Sequence, residues 1–485
     1  MKKGFVLTML LISAIDAMAC TGVLVGRNVS QDGSMLMARN EDFGSGANPK
    51  TFFVVNRKVN SKKAIFKNPD TGFSIEMPHK TLKYTILPDA GQDAGVFGEA
   101  GFNELGVCTS TTLSANANDE ILKFDPYVKG GITEPDMASL ILMQAKNARQ
   151  GIQIIANIID KKGAGEGDII YVADKNDIWY MEIYTGHQYA AVRVPQDKYA
   201  VIPNAFMLGN IDLNSKDTIY SKDLINLAKK NNLLKEKDGK FHLAMTYRDK
   251  LNNYNQIRVY EGQRRFNPTD KVKYNVNDTY ELFRTPERKI GLKDVMNVLR
   301  DRYDGTEFTD IKVYRPIGID RNLESHIFQI KKNIPSKIGG IMWLAMGTVE
   351  HSPYLPYFGN ISQTNKTLRV RTQVANNKSY YWTFKLLNTL GKSDRKNVGN
   401  GIKEYWNNYE DGVIKDEKNV EKKLLYIYRT KGSKAASDYS TKYSNDLVNK
   451  TLNIARDMQA KVITHVDKKA EGKPYKAPFS YVDKK

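Results

Sequence analysis

Cys20 is the residue of this sequence best placed to do chemistry. It follows Ala17, Met18 and Ala19, behind Lys2, Lys3 and an apolar stretch over residues 4–15. A basic start, a short apolar run and small residues before a junction have the order of an export leader, cut here before Cys20. The run is too short to anchor a chain stably in a bilayer. Cleavage would leave one residue carrying both a thiol and an α-amine. That amine, with an intrinsic pKa of about 8, can take the thiol proton, so the sulfur can attack a carbonyl without a separate histidine base. Two other residues could assist. Arg39 would favour the thiolate, since a nearby guanidinium lowers a thiol pKa. Asp42 could hydrogen-bond the amine and hold it toward the sulfur. Taken alone, an Arg–Asp pair at that spacing also fits a surface ion pair of little energetic weight.

The six histidines show no HExxH or other metal-ligand spacing. Neither a metal nor another cofactor is therefore expected. His187, His326 and His351 stand singly and read as structural residues, a Cys–His pairing formed in three dimensions being the alternative. The second cysteine, Cys108, lies in an apolar strand-like segment, where a lone thiol packs as a small hydrophobe. A disulfide between Cys20 and Cys108 is the competing use of the pair.

The elements that must position Cys20 are strands. Residues 21–26 are apolar and β-branched, residues 28–33 are turn-rich and end in Asp32 and Gly33, and residues 34–38 read as a returning strand. This hairpin brings Arg39, Asn40, Glu41 and Asp42 back beside Cys20. Further strands are expected at 52–55, 95–99, 105–112, 168–172, 178–184 and 189–194. Residues 174–177 form the turn between two of these. Residues 134–159 read as one helix. Met137, Leu140, Ile141, Ala145, Ala148, Ile152, Ile155 and Ile159 share a stripe, Thr133 and Asp136 form its capping box, and Gly163 and Gly165 end it. From about residue 377 the chain turns helical and lysine-rich, with a loosely held tail at 468–485.

Composition excludes other classes. At 485 residues, 41% hydrophobic and 26% charged, the chain is an ordinary globular protein. Its formal charge of +19 is spread among acidic residues rather than gathered with aromatics, so no nucleic-acid partner is expected. No segment after the leader has some twenty uninterrupted apolar residues, so no stable membrane insertion is expected. A homo-oligomer stays open.

Cys20, Thr21 and Gly22 followed by Arg39, Asn40, Glu41 and Asp42 resemble the N-terminal-nucleophile (Ntn) hydrolases, in which an opening Cys precedes an Arg-Asn-x-Asp segment. Within them the chain is most similar to the C69 (U34) cysteine dipeptidase family. The likeness continues through residues 99–106 (EAGFNELG), 179–187 (WYMEIYTGH), 193–195 (RVP), 324–329 (ESHIFQ) and the 343–357 region. The resemblance implies an α+β fold, the αββα four-layer sandwich of Ntn hydrolases, with a helical C-terminal extension. It implies residues 1–19 as signal peptide, 20–376 as catalytic domain and 377–485 as the extension packed on it. It implies dipeptide substrates, metal-independent hydrolysis and Asn204 as the oxyanion-hole side chain. Arg264 is its match to a later active-site arginine, with Arg265 and Arg258 as alternatives. Glu41 and Glu99 are candidates to hold a substrate ammonium. The export signal departs from the usual family pattern and makes its removal the activating event. Two rival readings carry different chemistry. One is a penicillin V acylase or bile-salt hydrolase type, which lacks the helical extension. The other is a lipoprotein acylated at Cys20, for which Ala17 stands where a lipobox prefers Leu.

Overall fold

The computed structural model describes residues 20–42, 48–90, 98–111 and 114–470. Alternating and fully apolar segments pair into two six-stranded antiparallel sheets. In chain order their strands are β1 (Thr21–Val25), β2 (Met35–Asp42), β3 (Ala100–Phe102), β4 (Cys108–Ser110), β5 (Asp168–Ala173), β6 (Ile178–Ile183), β7 (Tyr189–Arg193), β8 (Tyr199–Ile202), β9 (Thr218–Tyr220), β10 (Asn322–Ile330), β11 (Ile341–Met346) and β12 (Leu355–Phe358). The first sheet runs β8-β1-β2-β10-β11-β12 and the second β9-β7-β6-β5-β4-β3. The opening hairpin forms as expected, with Gly22 opposite Arg39 and Thr21 opposite Asn40. Its return strand extends through Asp42, because β10 pairs with it from Met35 to Asp42.

The sheets face each other. Phe102 of the second meets Phe328 of the first edge-on at 4.9 Å, and His326 Nε2 lies 2.9 Å from Ser110 Oγ across the gap. Helices cover both outer faces. On the second sheet lie α1 (Glu134–Leu142) and α2 (Ala148–Lys162), whose apolar residues pack with Ile170, Val172 and Met181. On the first lie α3 (Asn253–Phe266) and α4 (Leu292–Leu299). A Cβ on Gly262 of α3 would stand 2.7 Å from Val201 Cγ1 of β8, so this glycine sets how closely helix and strand approach. The layers are therefore helix, sheet, sheet, helix: the αββα sandwich.

The single helix expected over 134–159 is two. The Asn147 side chain accepts from the Gln150 backbone N–H at 2.8 Å and starts a new helix. The apolar stripe crosses the break because both helices lie on one sheet face. The capping box at Thr133 and Asp136 is present, and Gly163 ends α2 with a φ of 75°. The strand expected over 105–112 is shortened to β4, since Gly106 turns with a φ of 80° and Asn103 Oδ1 accepts from the N–H groups of Leu105 and Val107. The one expected at 95–99 falls mostly on residues outside those described. Cys20 and Cys108 are both buried free thiols, so the chain has no bridge between them.

Towards the C-terminus come α5 (Tyr380–Ser393) and α6 (Asn400–Ala470). The latter breaks at Gly432, whose φ of 81° and ψ of 179° are open to little but glycine. Tyr409 Oη lies 2.9 Å from Thr451 Oγ1, and Lys423 sits over the Tyr439 ring, so the two arms run antiparallel as a hairpin. Ser444 Oγ donates to the Pro356 carbonyl at 3.0 Å, which seats the hairpin on β12 and covers that sheet edge. Helix continues past residue 468, where a loose tail was expected; residues 471–485 lie outside those described. Among the described residues no helix is long and apolar enough to cross a membrane.

Candidate active site

Cys20 sits immediately before β1 and is 1% exposed. Its flanking strands decide what surrounds it. β8 pairs Ile202 with Gly22, so the same register carried two residues on sets Asn204 opposite Cys20. β2 sets Arg39 opposite Gly22, and paired residues of an antiparallel sheet share a face. The Cys20 carbonyl accepts from Arg258 Nη1. That nitrogen also donates to Thr21 Oγ1 at 3.0 Å, and Nη2 donates to Asn204 Oδ1 at 3.0 Å and to Asn255 Oδ1 at 2.5 Å. A guanidinium can only donate, so the Asn204 amide must turn its oxygen to Arg258. Its nitrogen is then directed elsewhere: Asn204 Nδ2 is buried with no hydrogen-bond partner among the described residues.

Arg39 is wholly buried between the sheets. Its Nη2 lies 3.0 Å from Glu99, 3.5 Å from Glu324 and 3.6 Å from Glu41. Burial pushes the Cys20 thiol far above its usual range. Arg39 is the main opposing influence, while Glu134, Glu41 and Glu99 add to the rise. In this state the thiol holds its proton. Arg39 itself loses by burial, but Cys20 and the three glutamates outweigh that and keep it charged. Lys50 completes the cluster, 2.9 Å from Glu41 and 2.7 Å from Asp89. Two buried cations thus serve four buried carboxylates.

Asp42 occupies the other face of β2. It accepts from Asn322 Nδ2 and pairs with Arg315. Arg264 is not brought to Cys20: its guanidinium is held by Glu261 at 2.9 Å with a third of the side chain exposed. Arg265 is paired with Asp301. Arg258 takes the place expected of Arg264, because it and Gly262 lie one turn apart on the face of α3 that meets β8. His187 rests on Asp125, His351 on Asn388, and His326 on Glu324 and Ser110, so each has a partner other than Cys20.

The model of peptidase family C69 matches residues 19–408, most of the chain, including both sheets and helices α1 to α5. The chain belongs to peptidase family C69. It is 39% identical over 473 residues to the "Probable dipeptidase B" of Streptococcus pyogenes serotype M1, covering 94% of each chain. It is 37% identical to a "Probable dipeptidase" of Salmonella dublin over 74% of this chain and 85% of that one. Among solved structures it matches a penicillin V acylase from Agrobacterium tumefaciens at a TM-score of 0.33 and 11% identity, over 70% of this chain and 86% of that one, too distant to weigh.

In this C69 peptidase the residue beside Arg258 that sequence reading passed over is Asn255. Asn255 lies three residues before Arg258 on α3, and Asn252 caps that helix by accepting from the Asn255 N–H at 2.9 Å. A helix phase counted from that cap puts Asn255, Arg258 and Gly262 on one face, and that was the available signal.

Proposed function

We propose that this peptidase is an exported cysteine dipeptidase whose nucleophile is Cys20, freed when residues 1–19 are removed. The observation that supports it best is the chain of contacts from Cys20 through Arg258 to Asn204, which leaves one buried amide donor unspent beside the sulfur's residue. Family membership and relatives called dipeptidases support the substrate class. While the leader is attached, the Cys20 nitrogen is an amide and cannot act as a base. Cleavage turns it into an amine that titrates near neutrality.

The amine takes the Sγ proton, and the thiolate attacks the peptide carbonyl carbon. An S–C bond forms, and the displaced electron pair rests on the oxygen, where Asn204 Nδ2 and a backbone N–H donate to it. Such donors are worth several kcal/mol when they meet the developing charge in a buried site. As the tetrahedral centre collapses, the C–N bond breaks and the leaving amine takes the proton from the Cys20 ammonium. A thioester remains. The amine then accepts a proton from water, whose hydroxide attacks the thioester and releases the acid, and the proton returns to sulfur. Arg39 favours the thiolate throughout. Residues 20–376 form the catalytic unit in this reading, with 377–485 as a helical extension on it.

Protein beginning at Cys20 is expected to hydrolyse dipeptides, to lose that activity with iodoacetamide, and to act poorly on acyl amides such as penicillin V. Cys20→Ala should be inactive, and Cys20→Ser at least about 100-fold slower. Undiminished dipeptide hydrolysis by Cys20→Ala would overturn the assignment, and a preference for acyl amides would overturn the substrate class.

A further inference from the structure

Asn204 stands on the segment that leaves the first sheet at β8 and crosses to the second at β9. It lies two residues beyond the last ladder pair, Gly22 with Ile202, so strand pairing no longer fixes its backbone. Helix α3 holds one side of it. Asn255 Nδ2 donates to the Asn204 carbonyl at 3.1 Å, and Arg258 Nη2 donates to Oδ1 at 3.0 Å. Those contacts direct the amide's oxygen, but they leave open how the segment is tied to the second sheet.

Glu182 of β6 makes that tie. It accepts from the N–H groups of Met207 at 2.6 Å and Leu208 at 3.0 Å. The Tyr180 hydroxyl, two residues earlier on the same strand face, donates to the same oxygen at 2.5 Å. Three donors therefore converge on Oε1, and two of them belong to the main chain three and four residues past Asn204. Phe206, between them and Asn204, rests edge-on against Tyr184 at 4.8 Å. Glu182 is 0% exposed, and among the described residues no lysine, arginine or histidine lies within 4 Å of it. A buried carboxylate without a cation is costly unless donors meet it. Burial raises its pKa above the ordinary value, and the Tyr180 hydroxyl and both N–H groups oppose the rise. A side chain without an acceptor at this place would leave both N–H groups unmet.

We propose that Glu182 is a positioning residue: by pinning Met207 and Leu208 to the second sheet, it holds the Asn204 Nδ2 donor where the oxyanion forms. This rests on Asn204 serving the oxyanion, and Glu182 acts through Asn204 without touching substrate. A donor of this kind must keep its place to within about 0.5 Å to meet the developing charge in full. A carboxylate suits the task better than an amide would, because charge-assisted hydrogen bonds are shorter and about twice as strong.

The test is a double-mutant cycle on a dipeptide substrate. Glu182→Gln keeps the size of the side chain and weakens the acceptor, so it should lower kcat about tenfold and leave KM unchanged. In an Asn204→Ala background the same substitution should change kcat by less than about twofold, since the donor it positions is gone. A merely looser fold would lower Tm and would cost the same in both backgrounds. Tyr180→Phe removes one hydroxyl and keeps the ring. It carries the same test if Glu182→Gln does not fold, with a loss of about threefold in place of tenfold. An unchanged kcat in the folded variant, or an equal loss in both backgrounds, overturns the positioning role and leaves Asn204 and Cys20 assigned. Full kcat in Asn204→Ala alone overturns the oxyanion reading beneath it.

Discussion

Asn204 has one acceptor and one donor face, and Arg258 uses the acceptor. That division of labour makes a sharp prediction at the scale of residues. Asn204→Ala should lower kcat by about 100- to 1,000-fold with little change in KM, the signature of a donor that meets charge only in the transition state. Arg258→Lys should restore little of what Arg258→Ala loses. A single ammonium cannot span the Cys20 carbonyl, Thr21, Asn204 and Asn255 as the two Nη groups do. Steady-state kinetics on a dipeptide checks both, and an unchanged kcat for Asn204→Ala would remove it from the oxyanion site. That β2 returns Arg39 beside the start of β1 was open to sequence reading, because the hairpin's turn chemistry fixes the return, whereas Asn204 was reached only through the family resemblance. The choice between Arg258 and Arg264 was not, since it depends on the phase of α3.

At the scale of elements, the opening hairpin and the sheet strands of 168–194 follow from alternation and turn chemistry, and their bounds match expectation to within a residue or two, except that the hairpin's return strand runs four residues further, to Asp42. The breaks in helices were less legible. The apolar stripe runs straight through the gap before α2, and Gly432 lies inside a lysine-rich run that keeps helical composition on both sides. The hairpin that this glycine creates presents Glu417 to Lys331, 4.0 Å away, and Glu421 to the same ammonium at 2.6 Å. Burial lifts Glu417 to about 7, Lys331 opposes, and Glu421 and Asp32 add to the rise. The folded chain therefore holds a proton there that the unfolded chain releases nearer 4.5. The stabilising contribution is full below about pH 4.5 and is lost as pH rises through about 7. Glu417→Gln, neutral at every pH, should raise the urea midpoint at pH 8, by the equivalent of about 3 kcal/mol, and much less at pH 5. A gain independent of pH would contradict this account of the hairpin's seat.

At the scale of the molecule, the αββα layers bury Cys20 and surround it with groups drawn from distant segments: β2, β8, β10, α1 and α3. In the proposed function such a centre is completed by folding, yet it stays idle while the Cys20 nitrogen is an amide. Export and activation become one event in this reading, because the same cut that releases the leader creates the base. The most direct measurement is the intact mass of the active, secreted protein together with its dipeptidase rate. The account predicts a chain that starts at an unmodified Cys20, with activity rising in step with that species. Full activity in protein that still carries residues 1–19, or in protein with acyl groups on Cys20, would contradict it.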